Sequence, residues 1–119
     1  MYAAANVVAG IVALIHSYIL VLEMFLWERP IGLKAFNMDE NFAAATRILA
    51  ANQGLYNGFL AAGLFWSIYT GDIHVQRFFL GCVVTAGVYG ALTANAKILW
   101  IQAAPAALGM VLLGFVPSY

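Results

Sequence analysis

Four stretches of the chain are almost continuously apolar, and the charged residues collect mainly in the segments between them. The apolar stretches cover residues 3–27, 47–70, 75–94 and 98–116. A helix needs about 20 apolar residues to cross the hydrocarbon core of a membrane, because each residue adds about 1.5 Å and every backbone polar group must be paired internally. The pattern therefore predicts four transmembrane helices.

The segments between the stretches indicate how the helices are connected. In the longest one, Asn37-Met38-Asp39-Glu40 resembles a capping box, so we expect the second helix to begin near Met38. Pro30 and Gly32 mark a break after the first helix. The connections at residues 71–74 and 95–97 are very short, as between antiparallel neighbours. The predicted fold is a single all-α integral membrane domain over residues 1–119, an antiparallel up-down four-helix bundle.

Composition supports a membrane protein and excludes some partners. Hydrophobic residues make up 65% of the chain and charged residues 8%, against about 25% charged residues in ordinary soluble domains. The net charge is zero and the five Lys and Arg residues are dispersed, so we expect no nucleic-acid partner. The expected partner is the lipid bilayer. The single cysteine, Cys82, is expected to be a packing residue.

The cations also suggest an orientation. With four spans, the first and third connections share one side of the membrane and carry Arg29, Lys34, Arg47 and Lys97. The opposite side holds Arg77 and both termini. Because cytoplasmic connections are enriched in Lys and Arg, both termini are predicted to lie outside the cytoplasm.

Two ionisable residues lie within the first span. His16 and Glu23 are seven residues apart, which places them on nearly the same helical stripe but separates them by roughly 10 Å of rise. Ionisable groups inside membrane helices are costly and are functional candidates by default. We regard Glu23 and His16 as candidates for proton transfer, although Glu23 is near enough to the span end to reach interfacial water.

Uncharged polar residues of the other three spans fall at similar depths. Counted from the side of the first and third connections, Glu23 and most of these residues lie between the outer part of one leaflet and the bilayer middle. Such residues often serve only to join helices. Their shared depth nevertheless suggests a blind pocket that binds a ligand. The candidate ligand-binding residues are Asn52, Gln53, Tyr56, Asn57, Tyr89, Thr93 and Gln102. No metal site is expected and no cofactor is indicated.

Two local features bear on packing. Gly54, Gly58 and Ala62 form a row of small residues that would let another helix approach closely. Pro105 lies inside the fourth span, where its ring removes a backbone hydrogen bond and should kink the helix or free a carbonyl group.

Several strings resemble a family of bacterial membrane proteins, domain of unknown function 1304. They are His16 to Trp27, the run Asn52-Gln53-Gly54-Leu55-Tyr56-Asn57-Gly58 with the five residues after it, Tyr89-Gly90 through Thr93, and Gln102 to Ala106. The resemblance extends over nearly the whole chain. It implies a small four-span protein of the bacterial inner membrane and supplies no catalytic roles.

Three functions remain open from the sequence. The first is a pocket that binds a small amphiphile, such as a quinone or a lipid headgroup, with proton transfer at Glu23 or His16. The second is a proton-coupled carrier of small molecules that acts as a homodimer. The third is a structural or assembly subunit of a membrane complex. Whether the protein is an enzyme is left undecided.

Overall fold

The computed structural model describes residues 1–117, and every regular element among them is helical. This confirms the all-α class. Residues 1–117 contain five α-helices and one π-helical turn. In chain order they are α1 (Tyr2–Phe25), α2 (Pro30–Phe36), α3 (Glu40–Thr70), α4 (Ile73–Thr93), the π-helical turn (Leu99–Ala103) and α5 (Ala104–Leu113).

Two helices, α1 and α4, are long and apolar enough to cross a membrane. They have 24 and 21 residues, and their most apolar windows have mean hydropathies of 2.1 and 1.4. At about 1.5 Å per residue each helix exceeds the roughly 30 Å of a hydrocarbon core. The apolar helix Leu99–Leu113, formed by the π-helical turn and α5, is shorter.

The long connection after α1 contains a helix that the sequence analysis did not predict. Pro30 occupies the first turn of α2, where its missing N–H costs nothing, and Asn37 closes α2 in the left-handed conformation with φ 52°. The expected capping box at Asn37 is therefore wrong. Instead the Asp39 carboxylate accepts a hydrogen bond from the Phe42 N–H at 2.7 Å, so Asp39 caps α3, which begins at Glu40.

A two-residue turn, Gly71 and Asp72, joins α3 to α4. Gly71 has φ 71°, a conformation that side chains disfavour and that commonly ends helices. The Asp72 carboxylate then accepts hydrogen bonds from the N–H groups of His74 and Val75. These bonds satisfy two of the donors at the start of α4 that have no partner within the helix.

The fourth apolar stretch changes helix type before its proline. The N–H of Ala104 reaches back to the carbonyl of Leu99, the five-residue spacing of a π-helix, and Pro105 follows within the first turn of α5. A proline disrupts the hydrogen bond and crowds the carbonyl four residues before it. The π-helical turn accommodates Pro105, which agrees with the prediction that this proline disturbs the hydrogen bonding of the fourth apolar stretch.

The chain forms two compact units. The first, called here the split unit, combines Met1–Leu14 with the described residues 60–117, and the second, the continuous unit, is Ile15–Phe59. The core of the split unit draws on α1, α3, α4 and α5, so four helical segments pack together there. Its buried members are Ala5, Ala9, Val12, Ala13, Leu64, Leu80, Val83, Ala106 and Leu113.

The continuous unit contains the second half of α1, all of α2 and the first part of α3. Trp27, just after α1, donates a hydrogen bond from its indole nitrogen to Thr46 Oγ1 at 3.1 Å. Its ring also packs on Phe36 of α2, with ring centroids 4.9 Å apart. Trp27 therefore ties all three helices of the unit together next to the last turn of α1.

Candidate functional site

Two buried polar side chains of the continuous unit form a hydrogen bond with each other. The side-chain amide of Asn57, on α3, donates to Glu23 Oε1, on α1, at 2.5 Å. Only 8% of Glu23 and 6% of Asn57 is exposed. A bond from an amide to a carboxylate is among the stronger hydrogen bonds, and burial strengthens it further. We call Glu23 and Asn57 the buried pair.

Two glycines of α3 bring the helices close together at the buried pair. A Cβ atom added to Gly54 would lie 2.6 Å from Met24 Cγ and 3.0 Å from Glu23 Cβ, and one added to Gly58 would lie 2.6 Å from Leu20 Cδ1. A larger residue at either position would therefore require Leu20, Glu23 or Met24 to shift. The close approach predicted for this row of small residues is realised against α1, while Ala62 is exposed.

Helical periodicity decides which polar residues of α3 lie near Glu23. Ala50, Gly54, Asn57 and Ala61 are buried, and their spacing of three or four residues puts them on one face of the helix. The candidates Asn52, Gln53 and Tyr56 are exposed. Asn52 donates its side-chain amide to the Ile48 carbonyl of its own helix at 2.9 Å. Of the α3 candidates, only Asn57 reaches the carboxylate.

The remaining candidates lie in three different settings. His16 is 1% exposed and belongs, like Glu23, to the continuous unit. Tyr89 and Thr93 belong to the split unit and are exposed, and the Thr93 hydroxyl donates to the Tyr89 carbonyl. Gln102 is half-buried within the π-helical turn. The roles assigned to these residues stay predictions.

An exposed ion pair lies near the buried pair in the sequence. Arg47 on α3 approaches Glu28 at 3.7 Å, and both side chains are largely open to the surroundings. Such exposed pairs contribute little to stability. Glu28 is thus an acid of the same unit in the opposite environment to Glu23, which makes it a useful control.

A second group of buried polar side chains was missed by the sequence analysis. In the split unit, the Gln76 side-chain amide donates to Asn6 Oδ1 at 3.0 Å and, more weakly, to Ser67 Oγ at 3.4 Å. Gln76 is 1% exposed and Ser67 is fully buried. Within residues 1–117, Gln76 Oε1 has no hydrogen-bond partner. The available signal was an isolated polar residue inside each of two apolar stretches, Asn6 and Ser67.

Metal ligands are not gathered in the part of the chain that the structure describes. No group of three or more His, Cys, Asp or Glu residues there could hold a metal ion. The buried pair itself offers a carboxyl group and an amide, which can form hydrogen bonds with a ligand, and the carboxyl group can also exchange a proton.

The comparisons with known proteins decide the family. Residues 10–114 match the model of the family described as Protein of unknown function (DUF1304). The chain belongs to this family. It is also 31% identical over 113 residues to the uncharacterized protein YpaA of Lactococcus lactis subsp. lactis (strain IL1403), and the match covers 92% of this chain and 91% of that protein. No solved structure matches the chain.

Membership of the family confirms the resemblance seen in the sequence. The matched residues include the whole of the buried pair and the Gly54 and Gly58 contacts. Neither the family description nor the name of the Lactococcus protein assigns an activity. The function must therefore be argued from the site.

Proposed function

We propose that this protein is a multi-pass protein of the bacterial inner membrane with four spans, formed by α1, α3, α4 and residues 98–116, which include the π-helical turn and α5. The support is the outward face of α1. Large apolar side chains at helical spacing remain 40% to 68% exposed along the whole of α1: Val7, Ile11, Leu14, Tyr18, Val21 and Phe25. In water such a stripe would be an extensive apolar patch, whereas lipid solvates it.

Within that membrane protein, we propose that the buried pair binds the polar group of a small amphiphile, such as a quinone or a lipid headgroup. The observation that carries the proposal is the buried 2.5 Å bond from Asn57 to Glu23 Oε1. Asn57 engages one carboxyl oxygen of Glu23 and holds the side chain in place. The other oxygen would accept a hydrogen bond from a ligand hydroxyl group or, when protonated, donate one to a ligand carbonyl group. An ionisable residue within a membrane-spanning helix is costly and is by default a candidate for function.

Proton transfer is the chemistry that this site would add. A carboxyl group can give a proton to a bound carbonyl group or take one from a hydroxyl group. His16 lies on the same helix, but seven residues correspond to about 10 Å of rise. His16 would therefore act as a second position on a proton route and would not exchange a proton directly with Glu23.

A structural role is the second candidate, and the glycine contacts favour it. Gly54 and Gly58 let α3 pack closely against Leu20 and Glu23 of α1. At this contact the hydrogen bond of the buried pair would set the register of the two helices. Polar pairs between membrane helices commonly serve this purpose, each with an effect of about 0.6 to 1.7 kcal/mol. In this case the pair needs no ligand.

Native mass spectrometry of the gently extracted full chain distinguishes the two candidates. The wild type, Glu23→Gln and the control Glu28→Gln would be compared for a co-purifying small molecule. We expect a molecule with the wild type and with Glu28→Gln that is lost from Glu23→Gln. If the wild type carries no such molecule, or if Glu23→Gln retains it, the binding proposal is wrong and the structural role stands.

A further inference from the structure

The split unit has a surface groove that the buried pair does not explain. It has a volume of about 690 Å³, much of it open to the surroundings, and is lined by residues of α4, from Arg77 at one end to Tyr89 at the other. Ligand pockets are usually concave clefts, whereas this groove is shallow and open, so its occupant would lie along the helix.

The length of the groove matches one leaflet of a membrane. Tyr89 lies twelve positions after Arg77, which is about 18 Å along a helix. Half of a hydrocarbon core is about 15 Å. The lining positions repeat every four residues, as at Gly81, Thr85 and Tyr89, so they form a continuous stripe.

Between its ends the groove offers hydrocarbon surface. The hydroxyl of Thr85 donates to the Gly81 carbonyl at 2.9 Å, which leaves it little need of another partner. Gly81 has no side chain, and a Cβ atom placed there would meet nothing within 4 Å. The groove therefore has open space at Gly81, which is suited to a flexible apolar chain.

One end of the groove carries a cation. Arg77 is half-buried, and within residues 1–117 it forms no ion pair. The only side-chain hydrogen bond of Arg77 within those residues is a long one, 3.5 Å, from Nη2 to the Leu113 carbonyl. A guanidinium has five N–H donors in a planar fork suited to phosphate. Most of the donors of Arg77 are thus available to an anion.

We propose that an anionic phospholipid occupies this groove, with its phosphate at Arg77 and one acyl chain along Gly81 toward Tyr89. The argument is charge complementarity at one end combined with an apolar stripe of one leaflet's length. This inference rests on the proposed membrane location but not on ligand binding at Glu23. Arg77 supplies the headgroup selectivity and the open space at Gly81 accommodates the chain.

The test is lipid retention by the full chain in nanodiscs of equal parts phosphatidylglycerol and phosphatidylcholine, released and counted by native mass spectrometry. We expect the wild type to retain one phosphatidylglycerol in preference to phosphatidylcholine. Arg77→Gln should reduce that preference about fivefold, the effect of one cation near a lipid surface. Arg47→Gln is the control for general charge attraction, because Arg47 is outside the groove and paired with Glu28.

A second variant tests the chain without touching the charge. Gly81→Leu fills the groove from a position with open space for its Cβ atom, so the protein should fold, and thermal unfolding checks this. We expect Gly81→Leu to lose the retained lipid and Gly81→Ala to keep it. Equal retention by wild type, Arg77→Gln and Gly81→Leu would overturn the proposal, as would a dimer that excludes lipid from the groove and separates on Gly81→Leu.

Failure of this inference is distinguishable from failure of the proposed function. Extraction of the protein from membranes by alkaline carbonate would contradict the membrane location, and with it both proposals. If the protein resists alkaline carbonate but its retention of phosphatidylglycerol does not depend on Arg77, only the proposal for the groove is contradicted. Glu23→Gln, measured in the same lipid mixture, should retain the phosphatidylglycerol, because Glu23 does not line the groove. If Glu23→Gln lost the phosphatidylglycerol, the groove would not be a site separate from the buried pair.

Discussion

The side-chain amide of Asn57 donates to the carboxylate of Glu23 across the α1–α3 contact, at 2.5 Å and almost out of reach of solvent. The two residues are 34 positions apart in the chain. The two helices pack closely at this bond, because a Cβ atom added to Gly54 of α3 would lie only 3.0 Å from the Cβ atom of the same glutamate.

Loss of Asn57 should destabilise the protein, because it removes the donor and leaves a buried carboxylate without it. We expect Asn57→Ala to lower the free energy of unfolding by about 1 to 3 kcal/mol. Asn52→Ala is the matched control, since that amide is exposed and bonds its own helix, and it should change the value by less than about 0.5 kcal/mol. Unfolding in mixed detergent micelles measures both. Equal effects of the two variants would show that the bond contributes nothing.

Glycine substitutions should separate close packing from helix propensity. Gly54→Ala places a Cβ atom 2.6 Å from Met24 Cγ, and we expect a loss of about 1 to 3 kcal/mol from overpacking. Gly81→Ala places one in open space, so the same change should be neutral or stabilising by up to about 1 kcal/mol. Thermal unfolding of both variants in one detergent tests this. A stabilising Gly54→Ala would mean that α1 and α3 are not in close contact.

The Asn6–Gln76 bond should contribute to the stability of the split unit. Asn6→Ala takes away the better of the two acceptors of the Gln76 amide, and we expect a loss of about 1 to 3 kcal/mol because Gln76 is buried. The double variant Asn6→Leu with Gln76→Leu should be less destabilised than Asn6→Ala, since no polar group is then left without a partner. If the double variant were less stable than Asn6→Ala, the stabilising role of the Asn6–Gln76 bond would be contradicted.

The proposed four spans predict a labelling pattern for cysteines placed in the connections. In a Cys82→Ser background, His74→Cys should react with an impermeant maleimide in intact spheroplasts. Lys34→Cys and Lys97→Cys should react only in inverted vesicles, because their connections share the cytoplasmic side. Reaction of Lys34→Cys and Lys97→Cys from different sides would contradict four spans, and reaction of all three from the reverse sides would contradict only the orientation.

Part of the candidate site could be predicted from the sequence, because the type of a side chain and its helical spacing indicate which face of a helix is buried. His16 and Glu23 share a stripe of α1, and both are buried. Asn57 could not be separated from Asn52, Gln53 and Tyr56 by polarity alone, since all four are polar residues within one and a half turns. Only the small residues at positions 50, 54 and 61 distinguish the face of α3 that carries Asn57. Gln76 escaped notice because a glutamine near a helix start is usually solvated.

The connection between α1 and α3 shows a local limit of the same reasoning. Asn37 and Asp39 can each cap a helix, and the pattern with Glu40 favoured Asn37. The structure uses Asn37 to end α2 and Asp39 to start α3. The choice depends on whether the preceding residues form a helix, and Pro30 made that possible by starting one.

The sequence by itself determined the helical class, the apolar stretches and the family, because these depend on composition, period and short strings of residues. The tertiary structure alone decided which polar groups meet: Glu23 with Asn57, and Gln76 with Asn6. It also decided that no described residue covers the groove of α4 that runs from Arg77 to Tyr89. Pairings of this kind depend on the rotation and separation of packed helices, and a shift of one residue in either helix turns a side chain by about 100°.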